Sequence, residues 1–219
     1  HPWREMIDEM GKRVRKYSAP KPKRPTRSDY QDWRRALERL RDVGGVEVSI
    51  GKPATEAQVR IVEKRLQHKL PASFRDVSLH FASQFETLGD QPGIGWDVTE
   101  LIENQKVYLD YVDALPPEED RTLWRNRLCV VNAGGGDAAV VDLSSAGGAV
   151  YFFACHGELQ VHGRRLASSF RDFVDRAIAI DCLTSANFHR PYEEFLGKDG
   201  LDPHSAAATA CRKRLGLSK

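Results

Sequence analysis

Cys155 and His156, with His162 nearby, are the residues whose types and spacing most readily suggest chemistry. Neutral imidazoles and thiolates are good zinc ligands, and a thiolate beside a histidine can act as a nucleophile. A structural zinc site, however, needs four ligands, and neighbouring residues on a strand point to opposite faces of the sheet. A buried cysteine beside an exposed histidine is therefore the favoured interpretation, and we expect neither a metal nor another cofactor.

Two further places could be mistaken for a catalytic or phosphate site. The run Gly134–Asp137 is rich in glycine, but phosphate-binding loops lead into a helix, whereas this run leads into an apolar strand. It therefore predicts a hairpin turn. Asp142 is an acid within that apolar strand, so it must face solvent or be paired. One carboxylate without a second at matched spacing does not make an acid–base pair, and the chain is not expected to be an enzyme.

The segment 86–120 gathers ten acidic side chains and a single base, Lys106. Trp96 lies within it, next to Asp97 and just before a predicted helix. An indole among carboxylates is a typical composition for a binding hot spot. Alternatively, Trp96 closes the seam between helix and sheet, and the sequence leaves both possibilities open. The candidate partner-binding residues are Trp96, Asp97, Glu100 and Glu103.

The net charge of +2 also conceals a basic segment, Lys12–Arg27, which has eight bases and no acid. Such a cluster could contact phosphate backbones, because binding there releases counterions. No aromatic residue except Tyr17 is interleaved with these bases, and no zinc-finger or RNA-binding signature accompanies them. A solvated linker is the simpler interpretation. Nucleic acid is therefore not the expected partner, and a nucleic-acid-binding or regulatory scaffold using this basic arm is the alternative function.

Composition narrows the class of protein. A chain of 219 residues with 41% hydrophobic residues can form a real core. The longest uninterrupted apolar run, Ala149–Cys155, is too short to cross a bilayer, so we expect no membrane partner. The four cysteines are far apart and form no Cys-x-x-Cys pair, which predicts reduced, mostly buried thiols in a cytoplasmic protein.

Apolar runs of strand length follow one another across the middle of the chain, separated by glycine-rich breaks. Connections this short can only join neighbouring antiparallel strands, because a parallel return needs a dozen or more residues. The sequence therefore predicts a β-meander. Its expected strands are Leu128–Val131, Ala138–Leu143, Ala149–Cys155 and Leu159–His162.

Helices are predicted on both sides of this meander. Thr55 and Gln58 have the spacing of a capping box, and Leu70-Pro71 ends that helix and begins the next. Thr99 is expected to cap a later helix. Apolar residues recur at helical spacing in each of these segments and again after Ser168-Ser169, where the stripe is Phe170, Phe173, Val174, Ala177 and Ile178. The fold class expected is α+β, with helices packed on an antiparallel sheet.

The ends of the chain are expected to be extensions of this domain. Residues 1–45 read as a helical N-terminal extension with a proline-rich basic linker at 18–27, where three prolines exclude a helix. Tyr30, Trp33, Leu37 and Leu40 form one apolar stripe within it. Residues 46–183 form the predicted α+β domain, and residues 184–219 form a C-terminal helical extension.

The order of several short motifs resembles the SUKH superfamily, which includes yeast cell-wall assembly regulators and many bacterial immunity proteins. The matching pieces are the helix start PATEAQVRIVEKRL, the corner KLPASFRDV, the strands AAVVDLS and AVYFF, and the closing RLASSFRDFVDRAI. The resemblance spans roughly Pro53 to Ile180. Where the family often has Asn-Gly after the second helix, this chain has Ala82-Ser83-Gln84-Phe85.

This resemblance implies a function as well as a fold. Similarity to the bacterial members implies an immunity protein that neutralises a toxin by stoichiometric binding, and similarity to the yeast members implies a regulatory interaction protein. We expect the partner to be a cognate toxin, for example a nuclease with a basic surface. The sequence names neither the toxin nor the oligomeric state.

Overall fold

The computed structural model describes residues 27–44, 47–88, 92–117, 119–134, 136–145, 147–155, 161–180 and 193–217. Seven α-helices and three antiparallel sheets lie within these ranges, so the expected α+β class is confirmed. The helices are α1 Arg27–Gly44, α2 Glu56–Leu66, α3 Ala72–His80, α4 Leu101–Ala114, α5 Arg121–Arg125, α6 Phe170–Ile180 and α7 Ala206–Arg214. The strands are β1 Glu47–Ile50, β2 Gln84–Leu88, β3 Pro92–Asp97, β4 Arg127–Gly134, β5 Asp137–Asp142, β6 Val150–Phe153, β7 Arg165–Ala167, β8 Leu196–Gly197 and β9 Gly200–Leu201.

A four-stranded antiparallel sheet, in the order β4-β5-β6-β7, carries the predicted meander. Strands β4 and β5 pair from Arg127 opposite Asp142 to Gly134 opposite Asp137, so the glycine-rich run closes a hairpin, as predicted. Because successive strand residues point to opposite faces, the sheet presents apolar side chains to helices on both sides. The first three predicted strands are confirmed.

The fourth strand is displaced from its predicted position. Residues Val161–Gly163, at the end of the predicted Leu159–His162, form a turn, and the strand is β7 instead. Gly163 has a φ of 74°, a left-handed conformation that ends any extended run at this point. Leu159 and Gln160, the first half of the predicted strand, lie outside the described residues, and Val161 is buried in the core.

Two smaller sheets complete the described strands. Strands β1, β2 and β3 form an antiparallel sheet in which Phe85 on β2 lies opposite Trp96 on β3. Strands β8 and β9 form a two-stranded hairpin, which the sequence had not indicated. It follows the short 3-10 helix Glu193–Phe195 and precedes α7, which Ser205 caps by accepting from the amide of Ala208.

The main core lies between the sheets and four helices, α1, α2, α3 and α6. The capping box of α2 is present, since the Thr55 hydroxyl accepts from the Gln58 amide and the Gln58 side chain accepts from the Thr55 amide. The predicted stripes of α1 and α6 are both buried in one continuous cluster, at Tyr30, Trp33, Leu37, Leu40, Phe170, Phe173, Val174, Ala177 and Ile178.

A second, smaller core lies on the opposite face of the β4–β7 sheet, beneath α4 and α5. Tyr108 and Trp124 each form a T-shaped pair with the Phe153 ring there, with ring centroids 4.8 and 5.2 Å away. The predicted cap of α4 is wrong. Glu100, and not Thr99, occupies the N-cap position, and its side chain makes no capping hydrogen bond.

Several predictions fall on residues outside the described ranges. These include the helix before residue 18, nearly all of the linker at 18–27, and the exposed position of His156. Among the helices that are described, none combines the length and the apolar character needed to cross a membrane.

Candidate interaction surface

Trp96 lies in the core and not on the surface, with 3% of its area exposed. Its ring stacks on Phe85 at a centroid distance of 4.7 Å, and its indole N–H points to the carbonyl of Ala82 at 3.4 Å. Phe170 of α6 meets it edge-on at 5.3 Å. This placement favours the alternative in which Trp96 closes the seam between helix and sheet.

Asp97 shapes the turn that leads from β3 into α4. Its Oδ1 accepts hydrogen bonds from both the amide and the hydroxyl of Thr99, each at 2.7 Å. A carboxylate that accepts from the backbone two residues further on fixes a tight turn. Asp97 therefore sets the direction of α4, and through it the position of the acids that follow.

Glu100 and Glu103 are exposed at the start of α4. Negative charge here is favourable because the helix N-terminus carries partial positive charge. Asp110 continues the exposed face two turns further on. We call Glu100, Glu103 and Asp110 the acidic ridge. Lys106 is the single base on this face among the described residues, 3.8 Å from Glu103.

Two clefts each take residues from α2 and α4. One has a volume of about 160 Å³ and is lined by Ile61, Val62 and Ile102 among others. The other has a volume of about 430 Å³ and is lined by Leu66 and Leu109 together with polar residues of the α2–α3 connection. The first cleft takes the start of α4, at Ile102, and the second takes Leu109, further along α4, together with Leu66, the last residue of α2. The two helices therefore run side by side. We call the surface formed by these five residues the α2–α4 groove.

A family model described as the SMI1 / KNR4 family (SUKH-1) matches residues 53–176, more than half of the chain. The chain belongs to the SMI1 / KNR4 family. The resemblance to the SUKH superfamily expected from the sequence is thereby confirmed. A search of curated proteins finds no match to the chain.

The segment shared with the SMI1 / KNR4 family contains the acidic ridge, the α2–α4 groove and most of the core. Helix α1 and strand β1 lie before it in the chain, yet β1 pairs with β2 and α1 contributes to the same core. The family match does not set where the domain ends. The boundaries predicted at residues 45 and 183 therefore remain predictions.

Within the family segment, sequence patterns did not reveal the role of Gln105. Its amide nitrogen donates to the carbonyl of Arg127 at 2.9 Å, and its side-chain oxygen accepts from the amide of Cys129 at 2.8 Å. These two bonds join α4 to the start of β4. The sequence offers one signal for this contact, which is a polar side chain close to the apolar stripe of an amphipathic helix.

Of the residues singled out for chemistry, Cys155 and His162 are held within the fold of the SMI1 / KNR4 chain. Cys155 is buried, and its amide donates to Asp137 at 3.0 Å. His162 packs against Trp124, and its Nδ1 accepts from the amide of Ala154 at 3.1 Å. Burial lowers the pKa of His162, so its neutral form is favoured. In the described ranges, no three histidine, cysteine, aspartate or glutamate side chains are grouped to hold a metal.

The remaining candidates also have structural partners. Asp142 accepts from the amide and the hydroxyl of Ser144, at 2.8 and 2.6 Å, and so orders the turn after β5.

Burial raises the pKa of Cys129 to about 12, which keeps this thiol protonated and unreactive. Cys211 is disulfide-bonded, so the expectation of reduced thiols is wrong for this residue.

Arg127 is a buried cation that sequence patterns did not single out. Its guanidinium lies between the rings of Trp124 and Tyr151, 4.2 and 4.1 Å from their centroids. The Nε and Nη1 atoms have no hydrogen-bond partner. Stacking between two aromatic faces therefore replaces part of the hydration that this charge loses on burial.

Proposed function

We propose that this chain is an immunity-type interaction protein, which neutralises a cognate bacterial toxin by binding it and not by turnover. Membership of the SMI1 / KNR4 family is consistent with such a role. The observation that carries the proposal is the acidic ridge, where exposed carboxylates lie along a helix that Gln105 joins to β4.

The proposed mechanism is competition for a basic groove of the toxin. A nuclease presents such a groove to the phosphate backbone of its substrate, and carboxylates spaced along a helix can occupy the same charges. Complementary charge chiefly raises the association rate and makes binding sensitive to salt. Glu100 and Glu103 are the proposed contact residues, while Asp97 holds the turn and Trp96 supports it from the core.

The test is charge reversal of Glu100 and Glu103 to lysine, with Asp97 retained because its carboxylate orders the turn. The probe is a nuclease domain with a basic substrate groove, found by screening the products of the genes that neighbour this chain's own and carrying an inactivating substitution. We expect association to slow by about tenfold or more at low salt, because steering is lost. Stopped-flow fluorescence measures the rate, and thermal unfolding checks that the fold is unchanged.

The matched control reverses two other exposed acids, Glu38 on α1 and Glu47 on β1, and so changes the net charge equally. It should leave the association rate close to that of the wild type. If both variants associate equally slowly, the overall charge of the chain, and not the position of the ridge, sets the association rate. A wild-type chain that neither binds nor inhibits the toxin domain would refute the proposed function itself.

The alternative function, nucleic-acid binding or regulation through the basic segment Lys12–Arg27, stays a prediction. Most of that segment lies outside the described residues. An electrophoretic mobility shift at physiological salt separates the two functions, because the immunity function predicts no shift at micromolar protein.

A further inference from the structure

The larger of the two clefts that take residues from α2 and α4 has the size and the lining of a small-ligand site. Its volume is about 430 Å³, and sites for small molecules commonly measure roughly 300–1,000 Å³. Such sites are mostly apolar, with a few polar groups that orient the ligand. The apolar lining here comes from five parts of the chain and consists of Leu66, Leu70, Leu109, Leu128 and Leu143. We call it the leucine cleft.

The charged residues that line the leucine cleft are basic. Its polar lining consists of His68, Lys69, Gln105, Arg125, Asn126 and Ser144. Among the described residues, no aspartate or glutamate lines this cleft. The whole chain has almost as many acids as bases, 31 against 33, so a lining without acids does not simply follow from the composition. The cleft therefore favours an anion over a cation.

Lys69 and Arg125 keep hydrogen-bonding capacity for a ligand. Lys69 donates to Glu63 at 2.8 Å and Arg125 donates to Asp113, and neither of these acids lines the cleft. An ammonium carries three N–H groups and a guanidinium five, and each of these ion pairs uses one. The side chains of Lys69 and Arg125 are 83% and 53% exposed, so both can turn towards a bound anion.

We propose that the leucine cleft binds an amphiphilic anion, a small molecule with a short apolar chain and a single carboxylate or phosphate head group. The apolar chain lies against the leucines, where its removal from water favours binding. The head group accepts charge-assisted hydrogen bonds from Lys69 and Arg125, and both kinds of head group suit these donors. Asn126 also lines the cleft and offers a neutral donor.

A short chain with one head group fits this surface better than a long polyanion does. The acidic ridge lies on α4, the same helix that supplies Gln105 and Leu109 to the cleft. The repeated charges of a nucleic acid strand or an anionic membrane would be repelled by the ridge carboxylates. The proposal goes beyond the immunity function and does not depend on it, since none of the three ridge acids lines the cleft.

The first test titrates the full chain with octanoate and, separately, with octyl phosphate, while nuclear magnetic resonance follows the amide chemical shifts. We expect saturable shifts at cleft residues such as Leu70, Leu128 and Ser144, with a dissociation constant below about 5 mM for at least one ligand. The ligand that binds more tightly identifies the head group. Weaker binding of both, or saturable shifts only at residues away from the cleft, would overturn the proposal.

Further ligands separate the contributions of the chain and the head group. Octanol has the apolar chain without a charge, and acetate and inorganic phosphate have the head groups without the chain. Each should bind at least about fivefold more weakly than the tighter amphiphilic anion, because each lacks one of the two interactions. If any of them binds as tightly, the cleft does not recognise an amphiphilic anion and the proposal fails.

The second test removes the two bases of the cleft. Lys69→Gln with Arg125→Gln should raise the dissociation constant of the tighter ligand about tenfold, because the head group loses its charged donors. Arg60→Gln with Lys64→Gln is the matched control, since it also removes one arginine and one lysine, at exposed α2 positions that line neither cleft. The control should stay within about twofold of the wild type. Equal weakening in both variants would show that net charge sets the binding, which overturns the proposal.

Arg125→Gln alone keeps this test decisive if the double variant does not fold, since Lys69 also pairs with the buried Glu63. Arg125 and Asp113 are both exposed, so their ion pair contributes little to stability. The single variant should raise the dissociation constant about threefold, while Arg60→Gln alone should not change it. A dissociation constant unchanged by Arg125→Gln would remove Arg125 from the site and overturn the proposal.

Discussion

At the scale of single residues, Glu63 shows how the fold buries a charge and compensates for it. Its side chain is 5% exposed, and it accepts from the ammonium of Lys69 at 2.8 Å and the amide of Leu70 at 3.2 Å. Arg75 of α3 lies 3.3 Å away. Burial alone would raise the pKa of Glu63, but these donors outweigh it and hold the pKa below its usual value.

Replacing this carboxylate tests its contribution to stability. Glu63→Gln should lower the free energy of unfolding at pH 7 by about 1–3 kcal/mol, because Lys69 and Arg75 lose their charged partner. The folded-state pKa is lowered, so this stabilisation is complete above the unfolded-state pKa and is lost as the pH falls through the folded-state pKa. The difference between wild type and variant should therefore shrink between roughly pH 5 and pH 3.

Urea unfolding at several pH values measures this difference. Glu56→Gln is the control, because Glu56 pairs with the same Arg75 but is exposed, and its loss should cost less than about 1 kcal/mol. A wild-type advantage that stays constant down to pH 3 would contradict the assigned role of Glu63.

At the scale of elements, the β8–β9 hairpin shows how the C-terminal segment attaches to the domain. Gly200 on β9 has a φ of 111°, and a Cβ placed there would lie 2.2 Å from the carbonyl oxygen of Leu166. Leu166 belongs to β7, so the hairpin backbone packs directly on the edge of the meander. Arg176 of α6 supports this contact by donating to the carbonyl of Leu201 at 2.7 Å.

This close approach makes Gly200→Ala a sharp test of the docking. The added methyl group forces the two backbones apart and the residue into a disfavoured conformation, so we expect a loss of about 2–4 kcal/mol in the free energy of unfolding. Gly147→Ala is the control, because the nearest atom to its added Cβ would be 3.5 Å away. Similar stability for the two variants would show that the hairpin does not pack as described.

At the scale of the whole molecule, α1 is part of the main core although the family match begins after it. Trp33 is buried against Phe81, with ring centroids 5.2 Å apart, and its indole N–H donates to Asp175 of α6 at 2.7 Å. The hydroxyl of Tyr30 donates to Asp76 of α3 at 2.7 Å. These contacts join α1 to two other helices.

We therefore expect the two parts of the N-terminal region to behave differently. Trp33→Ala should cost about 3–5 kcal/mol, because it leaves a large cavity and an unpaired Asp175. Removing residues 1–26 should lower the melting temperature by less than about 3 °C, since the prolines of the linker at 18–27 predict a separable segment. Differential scanning calorimetry measures both, and a large loss on truncation would contradict the prediction of a separable linker.

The sequence by itself determined the features that depend on near neighbours in the chain. The capping box at Thr55 and Gln58 is made by residues three apart, and the stripes of α1 and α6 follow from helical periodicity. Short connections required the antiparallel order of the first three meander strands. The order and spacing of these short motifs also indicated the family, because both are visible in the sequence without knowledge of how the chain packs.

Tertiary structure decided the features that depend on which elements meet. Trp96 is buried because it packs against Phe85 and Phe170, which come from two other elements. The residues next to Trp96 in the sequence do not indicate these contacts. The α2–α4 groove exists because helices from separate parts of the chain run side by side. Likewise, Val161 and His162 form a turn and not the end of the predicted fourth strand, because Val161 packs in the core and His162 packs on Trp124.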